Sequence, residues 1–314
     1  MPTFLAILVL VILFLILSLS ADQVTKNLRA LALKLGVPIF MLGILLGVLT
    51  SLPEGAIAIN AMFNKVQGLS IGNLLGGIVV MMSLILGLGV ILNQEIKNDG
   101  RLGFLMLCFA YFLLPLVLAL KGSLNYWDGL AIIIMYFVLM SRLYASNHAP
   151  LGIKVSMMSE KKITRELFIV LGGIVLILLT SNFITDITAD LLNKYDLSPF
   201  VIGLIFFPIG TNLPEITVAI ASWRRKDKEL SFSNLLGSSA SNVLILGILV
   251  TIRTFPITQT YNYYVTFIFL IILSALLLIF YRSGKRLTLL EGVALILVYI
   301  IFIFFQFQSD PLHL

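Results

Sequence analysis

The chain has 314 residues, of which 60% are hydrophobic and only 11% charged, and its mean hydropathy is +1.08. A soluble chain carries about a quarter charged residues, and even a large soluble core needs a polar surface, so a soluble enzyme, a nucleic-acid binder and a secreted disulfide scaffold are all poor descriptions. The lone Cys108 excludes an internal disulfide and any cysteine cluster, and two histidines, His148 and His313, leave little for a histidine metal site. The net charge of +6 is then better read as membrane topology than as nucleic-acid binding.

An apolar stretch of about 20 residues crosses a bilayer as a helix, because every backbone polar group must be satisfied within its own segment. Ten stretches qualify: 3–20, 36–62, 70–93, 102–120, 127–143, 165–182, 197–223, 231–252, 261–281 and 287–307. Residues 1–20 lack the basic start of a signal peptide, so a retained helix is expected there. The second and seventh stretches are longer than a span needs and are interrupted by Pro and polar residues, and Pro208 predicts a further disturbance of the seventh. Trp127 and Trp223 lie near span ends, as interfacial anchors do.

Ten spans put alternate loops on opposite sides. The loops between spans 1–2, 3–4, 5–6, 7–8 and 9–10 hold 17 of the 21 Lys and Arg, including Lys161-Lys162 and Arg224-Arg225-Lys226; the other four hold one each, Lys65, Lys121, Lys194 and Arg253. Basic loops stay cytoplasmic, so both termini are expected on the extracytoplasmic side. Asp186, Asp190 and Asp196 then fall in an outer, solvated loop.

Thr50-Ser51-Leu52-Pro53-Glu54 returns as Thr211-Asn212-Leu213-Pro214-Glu215, a shift of 161, and Asn73-Leu74-Leu75-Gly76 returns as Asn234-Leu235-Leu236-Gly237 at the same shift. Across 50–77 and 211–238, 13 of 28 positions are identical without a gap. Chance matches in apolar sequence yield Leu and Ile, not paired Thr, Pro, Glu, Asn and Gly, so the chain is a duplication. Each copy has five spans, an odd number, so the second enters the membrane in the opposite sense. The expected division is a first five-helix repeat over 1–143, a cytoplasmic linker over 144–164 and a second repeat over 165–314. Inverted repeats of this kind belong to secondary transporters that alternate access around a midplane site.

Glu54 and Glu215 are the acids that clearly sit mid-span, and an ionised carboxylate there costs several kcal/mol unless a cation or partner offsets it. No Lys or Arg lies inside their spans, so a transported cation or proton is the expected counter-charge; a permanently protonated pair hydrogen-bonded across the repeats is the structural alternative. Pro53 and Pro214 remove backbone donors and should free carbonyls near Val48–Leu49 and Ile209–Gly210. With Thr50, Ser51, Thr211 and Asn212 these are hard oxygen ligands of the kind Na⁺ and Ca²⁺ take. Asn73 and Asn234 add membrane-embedded amides, and Asn234, Ser238, Ser241 and Asn242 share one helical face. Gly77 and Met81 stand where the second copy has Ser238 and Asn242.

At these residues the sequence resembles the calcium/cation antiporter superfamily, in the manner of sodium/calcium exchangers, whose two alpha-repeats carry Gly-Thr-Ser-Leu-Pro-Glu and Gly-Asn-x-x-Gly-Ser elements. Here they read Leu49 to Glu54 with Gly72 to Gly77, and Gly210 to Glu215 with Ser233 to Ser238. The resemblance implies an all-α membrane protein of ten helices, with spans 2, 3, 7 and 8 enclosing the ions and spans 1 and 6 sliding across them. It matches Glu54 and Glu215 to the central carboxylates, and Thr50, Ser51, Thr211 and Ser238 to oxygen ligands. The departures are Gly77 for Ser, Met81 for Asn or Asp, and the neutral Asn242; fewer oxygens should weaken a multi-ion site, and a thioether suits neither Na⁺ nor Ca²⁺.

The function expected is a secondary active antiporter, not an enzyme, exchanging a divalent cation, Ca²⁺ first, for Na⁺ or H⁺ in the cell membrane of a prokaryote. A different cargo (Mg²⁺, Mn²⁺ or cation/H⁺ exchange) and a non-transporting ion-binding relative are the alternatives. Expected partners are inorganic cations and the lipid bilayer, with no nucleic acid and no resident cofactor.

Overall fold

The computed structural model describes residues 2–34, 48–93, 95–97, 102–146, 161–213, 215–216, 232–283 and 286–308. Pro214, Trp223, the Arg224-Arg225-Lys226 run, most of the 144–164 linker, both histidines and the side chain of Asn234 lie outside the described residues.

The chain is almost wholly helical. The first helix, α1, spans Thr3–Lys34, and α2 spans Leu52–Phe63. α3 spans Gln67–Val79 and runs through a π-helical turn, Val80–Ile85, into α4, Leu86–Asn93. α5 and α6 follow at Leu102–Ala119 and Tyr126–Ser146. The second half supplies α7 at Lys161–Tyr195, α8 at Pro199–Thr211, α9 at Phe232–Ile252, α10 at Tyr261–Ser283 and α11 at Leu289–Gln308. Among the described residues, seven helices are long and apolar enough to cross a membrane. The remaining regular structure described is two short antiparallel ladders, which register Glu95 with Thr288 and Leu124 with Phe255.

Two expected boundaries are corrected. Span 1 was expected to end at 20 and span 6 at 182, but α1 continues to Lys34 and α7 to Tyr195. The apolar runs stop there, whereas helical hydrogen bonding continues through polar residues with adequate propensity. At 1.5 Å per residue α1 and α7 are about 48 and 52 Å long, beyond the ~30 Å hydrocarbon core, so they tilt or project from it. Asp186 and Asp190 accordingly lie on α7, not in a loop, and Asp186 accepts hydrogen bonds from Asn64 and Asn182 at 2.7 and 3.0 Å. Pro208 does not break its helix either: α8 runs through it to Thr211.

The major helix contacts join one half to the other. α1 lies antiparallel to α7, since Thr3 at its start hydrogen-bonds Tyr195 at the far end, and Val24 meets Gly173 at an equal distance from those ends. Buried apolar side chains of α1 and α7 form one cluster with Ala56, Ile57 and Ala61 of α2, Leu69 of α3 and Phe207 of α8; those of α3 to α6 and α9 to α11 form a larger one that also takes in Ala58 and Met62 of α2 and Val201, Leu204 and Ile205 of α8. On the outer faces of α1 and α7, Phe4, Ile7, Phe168, Val175 and Phe183 are exposed, which suits a hydrocarbon solvent and not water.

α3 and α8 approach until backbone meets backbone. A Cβ on Gly72 would lie 2.3 Å from the Phe200 carbonyl oxygen, one on Gly76 would lie 2.2 Å from that of Leu204, and one on Gly203 would lie 2.5 Å from that of Leu69. Small residues give helices this proximity in membranes, where hydrophobic drive between helices is absent. Gly76→Ala should therefore cost about 1–3 kcal/mol, the range of overpacking, and lower the thermal unfolding midpoint in detergent. Gly103→Ala, which meets nothing within 4 Å, should leave the midpoint in place; equal midpoints for both variants would contradict the contact.

Candidate cation-binding site

The site is built on two breaks at equivalent positions of the repeat. Residues 48–50 are helical, the chain turns at Ser51, and α2 begins at Leu52 with Pro53 in its first turn. In the second copy α8 ends at Thr211 and the chain turns at Asn212. Ser51 has φ −94° and ψ 15°, and Asn212 has φ −94° and ψ 19°. Residues 161 apart thus share one backbone conformation. Pro tolerates the first turn of a helix because no intrahelical donor is needed there, so Pro53 fixes where the new helix starts. The Leu49 carbonyl, expected to be freed, accepts a hydrogen bond from Thr25 of α1 at 3.3 Å, and the Asn212 amide donates to the Pro208 carbonyl at 2.9 Å.

These breaks bring the repeated polar residues together. Glu54 is 1% exposed, and Thr211 and Asn212 from the other copy hydrogen-bond its carboxyl group. Glu215 lies within electrostatic reach of Glu54. Thr50 and Ser238 share a hydroxyl–hydroxyl hydrogen bond of 2.9 Å, and Ser51 donates to the Ser238 carbonyl at 3.2 Å. Asn73 donates from its amide to the Glu54 carbonyl at 3.1 Å, and the Asn242 amide nitrogen points at the Leu74 carbonyl at 3.5 Å. Of the ten residues singled out in the sequence, nine are described at this locus; the side chain of Asn234 is not described.

Its electrostatics are one-sided. Four buried oxygens here have no hydrogen-bond partner: Glu54 Oε2, Glu215 Oε2, Asn73 Oδ1 and Asn242 Oδ1. In both amides the nitrogen faces a backbone carbonyl, which turns the oxygen away from that carbonyl. Among the described residues neither carboxylate has an ion-pair partner. Buried acceptors left without donors are costly, and carboxylate and amide carbonyl oxygens are the ligands hard cations take. The arrangement fits a cation.

Sequence reasoning missed three participants. Asp22 of α1 lies within electrostatic reach of Glu215 and is ion-paired to Lys26 at 2.7 Å. Ending span 1 at residue 20 hid it; the Asp22–Lys26 spacing of four was a legible helical signal. Thr25, on the same helix, caps the Leu49 carbonyl, and Ser239 donates to the Met81 sulfur at 3.7 Å. Conversely, Ser241 belongs elsewhere: it donates to the Gly237 carbonyl and is hydrogen-bonded by Tyr136.

The family model for the sodium/calcium exchanger protein matches residues 5–145 and 166–308, one segment per repeat. The chain is 24% identical over 327 residues to the sodium/calcium exchanger MaX1 of Methanosarcina acetivorans, covering 90% of this chain and 93% of that one. Its fold is similar to the crystal structure of the H⁺/Ca²⁺ exchanger CAX, with a TM-score of 0.75 at 16% identity, covering 98% of this chain and 87% of that one. It is also similar to the sodium-calcium exchanger NCX_Mj, with a TM-score of 0.64 at 21% identity, covering 95% and 97%. With a family match that spans both repeats, the chain is a multi-pass integral membrane protein belonging to the sodium/calcium exchanger family of cation transporters.

Proposed function

We propose that the protein is a secondary active antiporter that exchanges a divalent cation, Ca²⁺, for Na⁺ or H⁺ by alternating access at the Glu54–Glu215 site. The observation that carries this reading is the set of four buried acceptor oxygens, two of them from carboxylates that have no ion-pair partner among the described residues. A divalent cation would balance both carboxylates, and the hydroxyls of Thr50, Ser51, Thr211 and Ser238 with the amides of Asn73, Asn212, Asn234 and Asn242 would complete or position its oxygen shell. The ten-span arrangement with both termini extracytoplasmic belongs to the same proposal and is supported by the 17-to-4 division of basic residues. So does the reading of 1–143 and 165–314 as two inverted five-helix repeats joined by 144–164. The alternating-access part of the reading is supported by the buried apolar side chains of α1 and α7, which cluster with each other and with one side of α2, apart from the main cluster.

Purified protein in liposomes should take up Ca²⁺ when an opposing Na⁺ or proton gradient is imposed. Glu54→Gln and Glu215→Gln should each reduce uptake by about tenfold or more, since each removes a charge-assisted ligand of ~1.5–3 kcal/mol. Full transport in both variants would sink the assignment, and saturable binding without flux would turn it into an ion-binding protein. Competition by Mg²⁺ and Mn²⁺ in the same assay identifies the cargo. Thr50→Val removes a neutral oxygen and should raise the half-saturating Ca²⁺ concentration by about 2- to 10-fold, the effect of one hydrogen-bonding group; no change would remove Thr50 from the site.

A further inference from the structure

The two copies are equal in their carboxylates and unequal one helix further on. Shifting by 161 pairs Gly77 with Ser238 and Met81 with Asn242. α3 with its π-helical turn carries the first pair and α9 the second, and the two helices face each other here. A Cβ on Gly77 would lie 2.3 Å from Asn242 Nδ2 and 3.7 Å from the Met81 methyl carbon. The Asn242 amide therefore occupies the space that a side chain at 77 would need. Beside it Met81, 1% exposed, presents a thioether whose sulfur is already hydrogen-bonded by Ser239 at 3.7 Å. The Ser238 hydroxyl is engaged by Thr50. On this flank Gly77 and Met81 supply no side-chain oxygen from the first copy, and the Asn242 amide of the second copy lies over Gly77.

We propose that the Asn242 amide lying over Gly77, with the Met81 thioether beside it, closes this flank of the site, so that the protein holds one cation at a time and Gly77 and Met81 determine that limit. A hard monovalent or divalent cation needs its own shell of oxygens, and sulfur does not substitute for them. The unpartnered oxygens that remain in the site are those of Glu54, Glu215, Asn73 and Asn242. They serve one shared cation, and one divalent cation already balances two carboxylates. The inference rests on the proposed function, because it concerns the same site, and it adds the number of ions and the residues that set it.

Equilibrium dialysis of the purified full chain in detergent, with labelled Ca²⁺ and increasing Na⁺, tests this. Wild type should bind one Ca²⁺ per chain, and Na⁺ should either fail to displace it or do so with a Hill coefficient of about 1, because the coefficient is bounded by the number of sites. Met81→Asn places a carbonyl oxygen on the closed flank, and Gly77→Ser/Met81→Asn places a hydroxyl there as well while pushing the Asn242 amide away. Either variant should raise the coefficient for Na⁺ towards about 2. A wild-type coefficient of about 2 or more, or more than one Ca²⁺ per chain, would overturn the inference while leaving the antiporter reading intact. This wild-type measurement stands even where a variant fails to fold. Variants that fold and bind Ca²⁺ but keep the wild-type coefficient would overturn the roles of Gly77 and Met81. Absence of Ca²⁺ binding in wild type would overturn both this inference and the proposed function.

Discussion

Two carboxylates taken out of water, with no ion-pair partner among the described residues, are the constraint around which the site is organised. Leaving a charge in a low-dielectric interior is expensive unless it is compensated, and the surroundings of Glu54 and Glu215 respond to that in detail. Thr211 and Asn212 turn towards Glu54 from the opposite copy, and Asn73 and Asn242 tie up their donor ends on backbone carbonyls. The chain breaks at Ser51 and Asn212 are the backbone side of the same solution. A broken helix at membrane depth is tolerated where protein or a cavity encloses it, and Thr25 accordingly covers the Leu49 carbonyl.

The approach of the helices follows from this need for enclosure. Glycines at 72, 76 and 203 let α3 and α8 touch along their backbones, which holds Asn73 on α3 against the carbonyl of Glu54 on α2. The large apolar cluster and the smaller one meet along α2, whose Ala58 and Met62 join the first and whose Ala56, Ile57 and Ala61 join the second. The carboxylate of Glu54 thus projects from a helix that, like α8, contributes to both clusters. Asn60 on the same helix and Asn64 at its C-terminal cap reach across to Ser181 and Asp186 of α7 at 2.6 and 2.7 Å.

What the sequence made legible were features that repeat. Paired Thr, Pro, Glu, Asn and Gly at one offset located the site, and the matching dihedrals at Ser51 and Asn212 are the physical counterpart of that offset. Helix ends were less legible. Hydropathy measures preference for lipid, so it stopped span 1 at residue 20 and span 6 at residue 182, while the backbone continued its hydrogen bonding through Asp22, Thr25, Asp186 and Asp190. Pro208 misled for a related reason: the loss of one backbone donor is tolerated where the surrounding helices hold the segment in place, and α8 runs on through it. The repeat indicated that Glu54 and Glu215 meet across the two copies, but the individual side-chain contacts around them were not legible. Nothing in residue spacing indicates that Asn242 lies over Gly77, since that depends on how α3 and α9 cross.

The inequalities of Gly77 with Ser238 and of Met81 with Asn242 depend on the two copies being one polypeptide. In a two-fold assembly of identical subunits a residue and its symmetry mate are the same by construction, so any side chain chosen for one flank is imposed on the other. Covalent fusion lifts that condition. Once joined, the copies can keep the acid on both sides, where charge balance demands it, and drift apart on the next helix, where a glycine in one makes room for an amide from the other. Common descent and later divergence are thereby written in different helices of the same repeat.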